Sequence, residues 1–229
     1  MKTVAVKILH KIGFFKPFSN IYTRWIDKRM RKSFRKYGTE TLTQVAKVAL
    51  EIEKPIFLIF GTLLGAIREK GFIPYDNDLD VGMLIEDRPE NMIEIMKAHG
   101  FRYYQQSYLK NGNRITEEAY DYKGVRLDIF YLYKQNPNFY CYLFDRHETK
   151  SKEEANKTDG FPTVKRLLTA DSFEKRMFLN TPMWFPSNAE KWLEELYGKS
   201  YMTPIKNWKM DAHEIRIEHI NERVYRRFE

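Results

Sequence analysis

Cysteine is almost absent from this chain of 229 residues, in which Cys141 is the only one. A single cysteine excludes an intramolecular disulfide, and it excludes zinc or iron–sulfur sites built from several thiolates. Long hydrophobic runs are also absent. The longest nearly uncharged apolar stretch, residues 56–67, is far shorter than the roughly 20 residues of a membrane-spanning helix. We therefore expect a fold that is held by hydrophobic packing and is compatible with a reducing cytosol.

Acidic residues are scarce at the beginning of the chain. The first 37 residues contain eleven Lys or Arg and one acid, Asp27, so their net charge is +10; with a total of +8, residues 38–229 carry −2. A nearly neutral body without a recognisable nucleic-acid-binding motif argues against a nucleic-acid partner. The apolar part of the basic segment contains lysines and no small-residue cleavage site, so it does not resemble a secretory signal, and we expect a cytoplasmic protein.

The basic segment has an amphipathic pattern. Apolar residues recur at three- and four-residue intervals in residues 4–12 and 21–37, which predicts two helices, with Gly38 as the stop of the second. We interpret residues 1–38 as a basic helical arm beside a body of residues 39–229, which ends in a helical elaboration. Two readings are open: the arm of residues 1–37 lies on the anionic inner face of a membrane, or it packs on the body with its basic side in solvent.

Short apolar runs alternate with helical patterns in the body. Strands are expected at residues 56–60, 79–84, 101–108, 114–122, 125–133 and 140–144. Helices are expected at residues 39–53, 63–70 and 89–99, in a segment that ends before Gly198, and at residues 215–228. Residues 187–190 have the spacing of a capping box, which would start the fourth of these helices. The chain is therefore expected to carry helices at both ends of a strand-rich middle.

The end of the first strand has the features of a phosphate-binding turn. Gly61 and Thr62 follow the apolar run directly and open the next predicted helix. Free backbone N–H groups and a hydroxyl at a helix N-terminus favour a phosphate group, and a glycine allows close approach. Gly61 and Thr62 are therefore candidate phosphate contacts.

Three carboxylates are candidate metal ligands. Asp78 and Asp80 stand two residues apart at the start of a predicted strand, so both project from one face. Asp128 interrupts an apolar run, where an isolated charge would be costly. Mg²⁺ or Mn²⁺ would offset the repulsion among them, and Asp128 could then orient or deprotonate an attacking hydroxyl. The alternative for Asp76, Asp78 and Asp80 is an acidic turn or a calcium loop, although their spacing excludes an EF-hand.

A long motif runs through this candidate site. Residues 61–83 read Gly-Thr-Leu-Leu-Gly-Ala-Ile-Arg-Glu-Lys-Gly-Phe-Ile-Pro-Tyr-Asp-Asn-Asp-Leu-Asp-Val-Gly-Met. This run closely resembles the LicD family of phosphocholine transferases, which is related to the fukutin proteins and lies within the nucleotidyltransferase superfamily. The strand around Asp128, residues 185–188 and residues 192–198 agree with the same family. The resemblance covers residues 55–204 and leaves the basic arm unexplained.

The resemblance implies an α+β fold with a nucleotidyltransferase-like mixed β-sheet flanked by helices. It also implies metal-dependent transfer of phosphocholine from CDP-choline to a hydroxyl of a cell-surface glycan, such as lipopolysaccharide, teichoic acid or capsule. A donor with another alcohol (ethanolamine, glycerol or ribitol) is an open alternative. So is a non-catalytic nucleotide- or membrane-binding adaptor with the same fold, which would be expected to lack the carboxylates.

Carried over position by position, the resemblance assigns roles to named residues. The metal-holding and catalytic residues would be Asp78, Asp80 and Asp128, and the nucleotide phosphate would meet Gly61 and Thr62. Arg68 and Lys70 fall where a cation would meet the donor's diphosphate, unless they form a solvated helix end. Whether Asp76 touches the metal is open.

Many tyrosines lie on the predicted strands. They either form a cage for a quaternary ammonium through cation–π contacts or belong to the core and the sheet surface. These residues are Tyr103, Tyr104, Tyr108, Tyr120, Tyr122, Tyr131 and Tyr133.

Overall fold

The computed structural model describes residues 15–110, 114–136, 138–144, 160–169, 172–205 and 216–228, with side chains from Trp25 onward. The helix predicted at residues 4–12 lies outside them. The helices within these residues are α1 Phe15–Glu51, α2 Phe60–Leu64, α3 Met92–Ala98 and α4 Ala189–Tyr197. A π-helical turn, Gly65–Glu69, continues α2, and a 3₁₀ turn spans Ile85–Asp87.

Ten strands are formed by the described residues. They are β1 Phe57–Leu58, β2 Asp78–Leu84, β3 Arg102–Leu109, β4 Arg114–Tyr122, β5 Val125–Gln135, β6 Asn138–Phe144, β7 Phe161–Leu168, β8 Phe173–Phe178, β9 Thr181–Pro186 and β10 Ile217–Phe228. The strands expected in the middle of the chain are therefore confirmed, with bounds that differ by a few residues.

All ten strands belong to one sheet, in the order β4-β3-β10-β7-β6-β5-β2-β1-β9-β8. Because β4 also pairs with β5, the strands from β3 to β7 together with β10 close into a six-stranded antiparallel barrel. The remaining strands continue the sheet beyond β5, with parallel pairing at β2–β5 and β1–β9. The mixed α+β fold is confirmed, whereas the sequence patterns do not predict the barrel.

Helix α1 runs without a break through Gly38, so the predicted stop at that residue is wrong. Phe34, Leu42 and Val45 are buried at helical spacing on both sides of the glycine, so the same face packs on the body throughout. A Cβ at Gly38 would lie 3.1 Å from the ring of Phe72. The glycine therefore serves close packing against Phe72 within the helix.

The C-terminal segment is strand β10, so the helix predicted at residues 215–228 is wrong. Its apolar residues fall at three- and four-residue intervals, which is typical of a helix. The pairing with β7 changes register between His219 and Arg223, and this irregularity breaks the period of two that marks an ordinary strand. Pairing with β3 and β7 outweighs the local pattern.

Helix α4 is confirmed, but its predicted capping box is wrong. The helix begins at Ala189, so it is preceded by Asn188 rather than by Ser187, the first residue of the predicted box. Asn188 makes no side-chain cap bond, and its amide donates to the carbonyl of Thr169 at 2.8 Å. The indole of Trp192 also donates to that carbonyl. At the other end, the guanidinium of Arg166 donates to the carbonyls of Glu195 and Leu196. These contacts hold α4 against the sheet and place its last residue beside the site described next.

Candidate metal centre

Strands β2 and β5 form a parallel ladder that brings the predicted carboxylates together. Asp80 lies opposite Asp128, and Asp78 lies opposite Arg126. Opposite residues of a ladder point to the same face of a sheet. One carboxylate oxygen from each of Asp78, Asp80 and Asp128 lies within 4.8 Å of the other two. Across the described ranges, this is the one group of three or more His, Cys, Asp or Glu side chains close enough to share a metal ion.

The alternation of the two strands explains why acids can stand here. Leu79 and Val81 on β2, and Leu127 and Ile129 on β5, are completely buried in the core. The carboxylates on the opposite face are only half-buried, so an ion or a substrate can reach them. A strand period of two therefore separates the core-forming residues from the acidic ones.

The clustered carboxyl groups raise one another's pKa. Burial, and then the charge of Asp128, raises the pKa of Asp78 to about 6. The pKa of Asp80 rises well above its usual value because of burial and the charges of Asp78, Asp128 and Asp76. Burial and the charge of Asp78 raise the pKa of Asp76 to about 7. Such a cluster is costly when ionised unless positive charge is supplied to it.

The donor set is compatible with a divalent cation. Carboxylate oxygens are the ligands that hard cations such as Mg²⁺, Mn²⁺ and Ca²⁺ prefer. Here they come from two hydrogen-bonded strands rather than from one flexible acidic turn, so their separation is set by the ladder. A cation bound between these carboxylates would favour their ionised forms and so lower the raised pKa values.

Gly61 and Thr62 contact the acidic cluster directly. The hydroxyl of Thr62 accepts the backbone N–H of Asp80 at 2.8 Å, and the backbone N–H of Gly61 donates to the Asp80 carboxylate. A Cβ at Gly61 would lie 3.2 Å from Oδ2 of Asp76 and 3.5 Å from Oδ2 of Asp80. Both residues therefore position Asp80, a task that the sequence pattern does not reveal. Their contact with a phosphate stays a prediction.

A pocket of about 670 Å³ opens beside the carboxylates. Arg68 is at its wall, where its side chain is only 8% exposed, pairs with Glu69 and donates to the carbonyl of Tyr201. Lys70 is exposed and is absent from the described residues that line the pocket. The lining residues are Gly61, Leu64, Arg68, Ile73, Tyr75, Asp76, Tyr197, Tyr201, Thr203, Pro204 and Ile205. The structure thus brings Arg68 and Asp76 to the pocket and leaves Lys70 outside it.

Arg126 holds the third carboxylate in place. Its Nε donates to Oδ1 of Asp128 at 2.6 Å, and its Nη2 lies 3.5 Å from Oε1 of Glu117. The guanidinium also lies over the ring of Tyr104, 5.0 Å from the centroid. Burial, and then the charge of Asp128, raises the pKa of Glu117 to about 7. The spacing Arg-x-Asp on one strand face is the signal in the sequence that could have revealed Arg126.

Tyr197 is a second residue that the sequence reasoning missed. It ends α4, lines the pocket and is close enough to the carboxylates that, after burial, the charges of Asp80 and Asp76 raise its pKa. Tyr197 belongs to the motif at residues 192–198, so the sequence does draw attention to this segment. The pattern does not say that the phenol faces the acids, because that depends on how α4 docks.

Three of the tyrosines on the strands donate hydrogen bonds within the protein. The hydroxyls of Tyr120 and Tyr131 donate to the buried carboxylate of Glu118 at 2.9 and 2.6 Å. The hydroxyl of Tyr133 donates to the carbonyl of Ile115. For these three residues the core reading is confirmed, and a cage that involves the others stays a prediction.

Comparison with known proteins agrees with the geometry. Residues 53–188 match the sequence profile described as LicD/FKTN/FKRP, nucleotidyltransferase domain. The chain is 26% identical over 175 residues to ribitol-5-phosphate transferase FKTN of Mus musculus, and 25% identical over 177 residues to the protein of the same name in Homo sapiens. An uncharacterised protein of Rickettsia typhi is 34% identical over 90 residues, which cover 38% of this chain and 26% of that protein.

These matches cover unequal parts of the proteins. The alignments with the two transferases include 76% and 77% of this chain but only 35% of each relative. The chain thus spans about a third of the length of the relatives with a named activity. Residues 53–188, which match the sequence profile, contain the three carboxylates and the pocket residues that precede α4.

Proposed function

Because the chain belongs to the LicD/FKTN/FKRP family and is related to fukutin, we propose that it transfers a phospho-alcohol from a CDP-activated donor to a hydroxyl of a glycan. The observation that carries the proposal is the group of three carboxylates, Asp78, Asp80 and Asp128. A pocket of about 670 Å³ lies next to this group, because Gly61 and Asp76 line the pocket and Gly61 is close to Asp80. In this proposal β1, β2 and β5 with α2 form the nucleotidyltransferase-like part of the fold, and the barrel is an addition to it.

The three carboxylates would hold Mg²⁺ or Mn²⁺, which when bound would offset the charge of the donor's diphosphate. Arg68, at the pocket wall, would face that diphosphate, and Gly61, which lines the same pocket, would contact a phosphate through its backbone. Asp128 would align the acceptor hydroxyl and take its proton. Lys70 lies outside the pocket, so its role at the diphosphate needs a movement of the chain.

The reaction exchanges one phosphorus–oxygen bond for another. The acceptor oxygen forms a bond to the phosphorus that carries the alcohol, the bond to the bridging oxygen of the diphosphate breaks, and CMP leaves with that oxygen. The hydroxyl proton passes to Asp128 or to water. The task of this chain is thus to align the groups and to offset charge.

Choline is the alcohol that we propose first, with ethanolamine and glycerol as further members of the same class. Ribitol is a specific second candidate, because the relatives from mouse and human are named ribitol-5-phosphate transferases. The acceptor would be a cell-surface glycan of the lipopolysaccharide, teichoic acid or capsule type.

We place the reaction in the cytoplasm, where a lipid-linked glycan would be met at the inner face of a membrane. Within the described residues, no helix is both long enough and apolar enough to cross a membrane. The basic segment of residues 1–37 would be the part of the chain that meets the anionic surface.

The test is a panel of CDP-choline, CDP-ethanolamine, CDP-glycerol and CDP-ribitol, each incubated with the protein and Mg²⁺ or Mn²⁺, with CMP release as the readout. We expect release from one donor, dependent on the cation and reduced at least ~10²-fold in Asp80→Asn. Glu94→Gln, which removes an exposed acid on α3, is the matched control. Nucleotide binding without turnover on any donor would support a non-catalytic adaptor instead.

A further inference from the structure

We propose that the exposed basic side of helix α1 is a docking surface for an anionic phospholipid bilayer. This basic face consists of Lys28, Arg29, Arg31, Lys32, Arg35 and Lys36, all of which are exposed. Asp27 is the single acid among residues 25–37. Among the described residues, the six cations form no ion pair with a carboxylate. A dense positive surface of this kind is complementary to acidic lipid headgroups.

The apolar side of the same helix is already used by the fold. Phe34 is buried, and its ring lies 4.7 Å from that of Phe72 on the body. Helix α1 thus packs on the body through its apolar stripe, as the second reading of the basic arm expects. Contact with a membrane would therefore use the basic side rather than the apolar one, which differs from an amphipathic helix that buries its apolar stripe in lipid.

The cations of the basic face lie close together. Asp27, Lys28, Arg31, Lys32, Arg35 and Lys36 border one open space between their side chains. Several cations that border one space can approach the same phosphate groups at once. Their summed field favours a dense anionic surface over an isolated anion.

An exposed tryptophan favours a bilayer over a nucleic acid. Trp25 is 56% exposed, and the guanidinium of Arg29 lies 5.7 Å from the centre of its ring. Trp25, Arg29, Lys32 and Lys36 follow one another at helical spacing, so they share one side of α1. Tryptophan with Lys and Arg is the combination that is enriched at the boundary between water and lipid.

The basic face adjoins the rim of the pocket. The guanidinium of Arg35 donates to the carbonyl of Pro74 at 3.2 Å. The next two residues, Tyr75 and Asp76, both line the pocket, and Tyr75 is 57% exposed. A bilayer on the basic face would therefore lie beside the pocket mouth. This consequence, that the pocket is presented to a membrane-borne acceptor, rests on the proposed function.

The experiment is co-sedimentation of the full chain with vesicles of phosphatidylcholine alone or mixed with phosphatidylglycerol, at low and high salt. The test variant is Lys28→Glu/Arg31→Glu/Lys32→Glu. The matched control changes the same net charge at exposed lysines away from the face, as Lys47→Glu/Lys97→Glu/Lys110→Glu. Circular dichroism and thermal unfolding establish that both variants fold.

We expect the parent and the control to bind the anionic vesicles at low salt and to be released by high salt. The test variant should partition at least ~100-fold more weakly, because three favourable contacts become repulsive. Lipids brominated near the headgroup should quench the fluorescence of Trp25, measured as the difference between the parent and Trp25→Phe. An equal loss in the control variant, or no binding by the parent at low salt, would overturn the proposal.

Two further measurements distinguish this proposal from its alternatives. A DNA or RNA duplex that binds the basic face while the vesicles do not would assign the surface to nucleic acid and overturn the membrane assignment. Asp80→Asn should bind vesicles like the parent, because it changes only the acidic cluster. Failure of the vesicle experiment is thus distinguishable from failure of the donor panel.

Discussion

Replacing Asp78 by Asn is expected to stabilise the metal-free protein at neutral pH while it abolishes metal binding. The substitution keeps the shape of the side chain and removes a charge that is half-buried beside Asp128 and Asp80. Burial and the neighbouring charge of Asp128 raise the pKa of Asp78 from 3.8 to about 6. A group that is costly to ionise in the folded state destabilises that state wherever it must carry its charge.

The sign and size follow from proton binding. Between pH about 4 and about 6 the folded state holds the Asp78 proton more tightly than the unfolded chain, so stability falls as the pH rises through this range. Above it the penalty is complete, and a pKa raised from 3.8 to about 6 corresponds to up to about 3 kcal/mol. For a chain of this size, that is a difference of about 6–12 °C in Tm.

Thermal unfolding in EDTA at pH 5 and pH 7.5 measures the effect, with Glu94→Gln as a control that removes one exposed charge. Asp78→Asn should have the higher Tm at pH 7.5, and the difference from the parent should shrink at pH 5. Added Mg²⁺ at 100 times its Kd should stabilise the parent by about 2.7 kcal/mol and the variant by much less. An Asp78→Asn protein that is no more stable than the parent at pH 7.5 in EDTA would refute the reasoning.

Three further predictions concern residues around the cluster. Asp128→Asn should lower turnover at least ~10²-fold, with donor affinity in calorimetric titrations largely retained; complete loss of donor binding would make Asp128 chiefly a scaffold of the metal site. Arg126→Gln should weaken the apparent affinity for Mn²⁺ in a metal titration, because the Nε of Arg126 orients Asp128. Arg126→Lys should recover part of that affinity. Equal affinities of the parent and Arg126→Gln would contradict a positioning role. Thr62→Val should cost about 1–3 kcal/mol in denaturant unfolding, because the N–H of Asp80 loses its acceptor, whereas Thr62→Ser should cost much less.

The carboxylate cluster could be predicted from the sequence because each acid interrupts an apolar alternation. Asp78 and Asp80 flank Leu79, and Asp128 stands between two fully buried residues. A charged side chain in such a setting requires a compensating partner. Because all three acids share this requirement, they are expected to lie close together. The ladder between β2 and β5 brings them together, with Asp80 opposite Asp128.

The supporting contacts could not be predicted, because they depend on packing between distant segments. In the sequence, Gly38 resembles the end of a helix, because its packing against Phe72 is a tertiary contact that the sequence does not show. Strand β10 reads as a helix because its register shift hides the period of two. Tyr197 reads as one apolar position of α4, and only the docking of that helix brings it near Asp76 and Asp80.

Strand β5 belongs both to the barrel and to the candidate site, and this double membership sets the charge of the cluster. On one side β2 brings Asp80 opposite Asp128, which adds repulsion. On the other side β4 brings Glu117, which contacts Arg126 and lies near the positive charge of Arg226 from β10.

Glu117 and Arg226 carry opposite charges, so together they add nothing to the formal charge of the site. The other charged groups around the cluster do not cancel one another. Asp76, Asp78, Asp80 and Asp128 face two guanidinium groups, those of Arg68 and Arg126. Arg68 also pairs with Glu69. The carboxylates therefore outnumber the guanidinium groups, and the cluster is negative when all of these groups are ionised. If Arg126 were absent, Asp128 would add its full charge to the repulsion. If β2 were absent, Asp128 would be an ordinary ion pair with Arg126 and would have no preference for a metal.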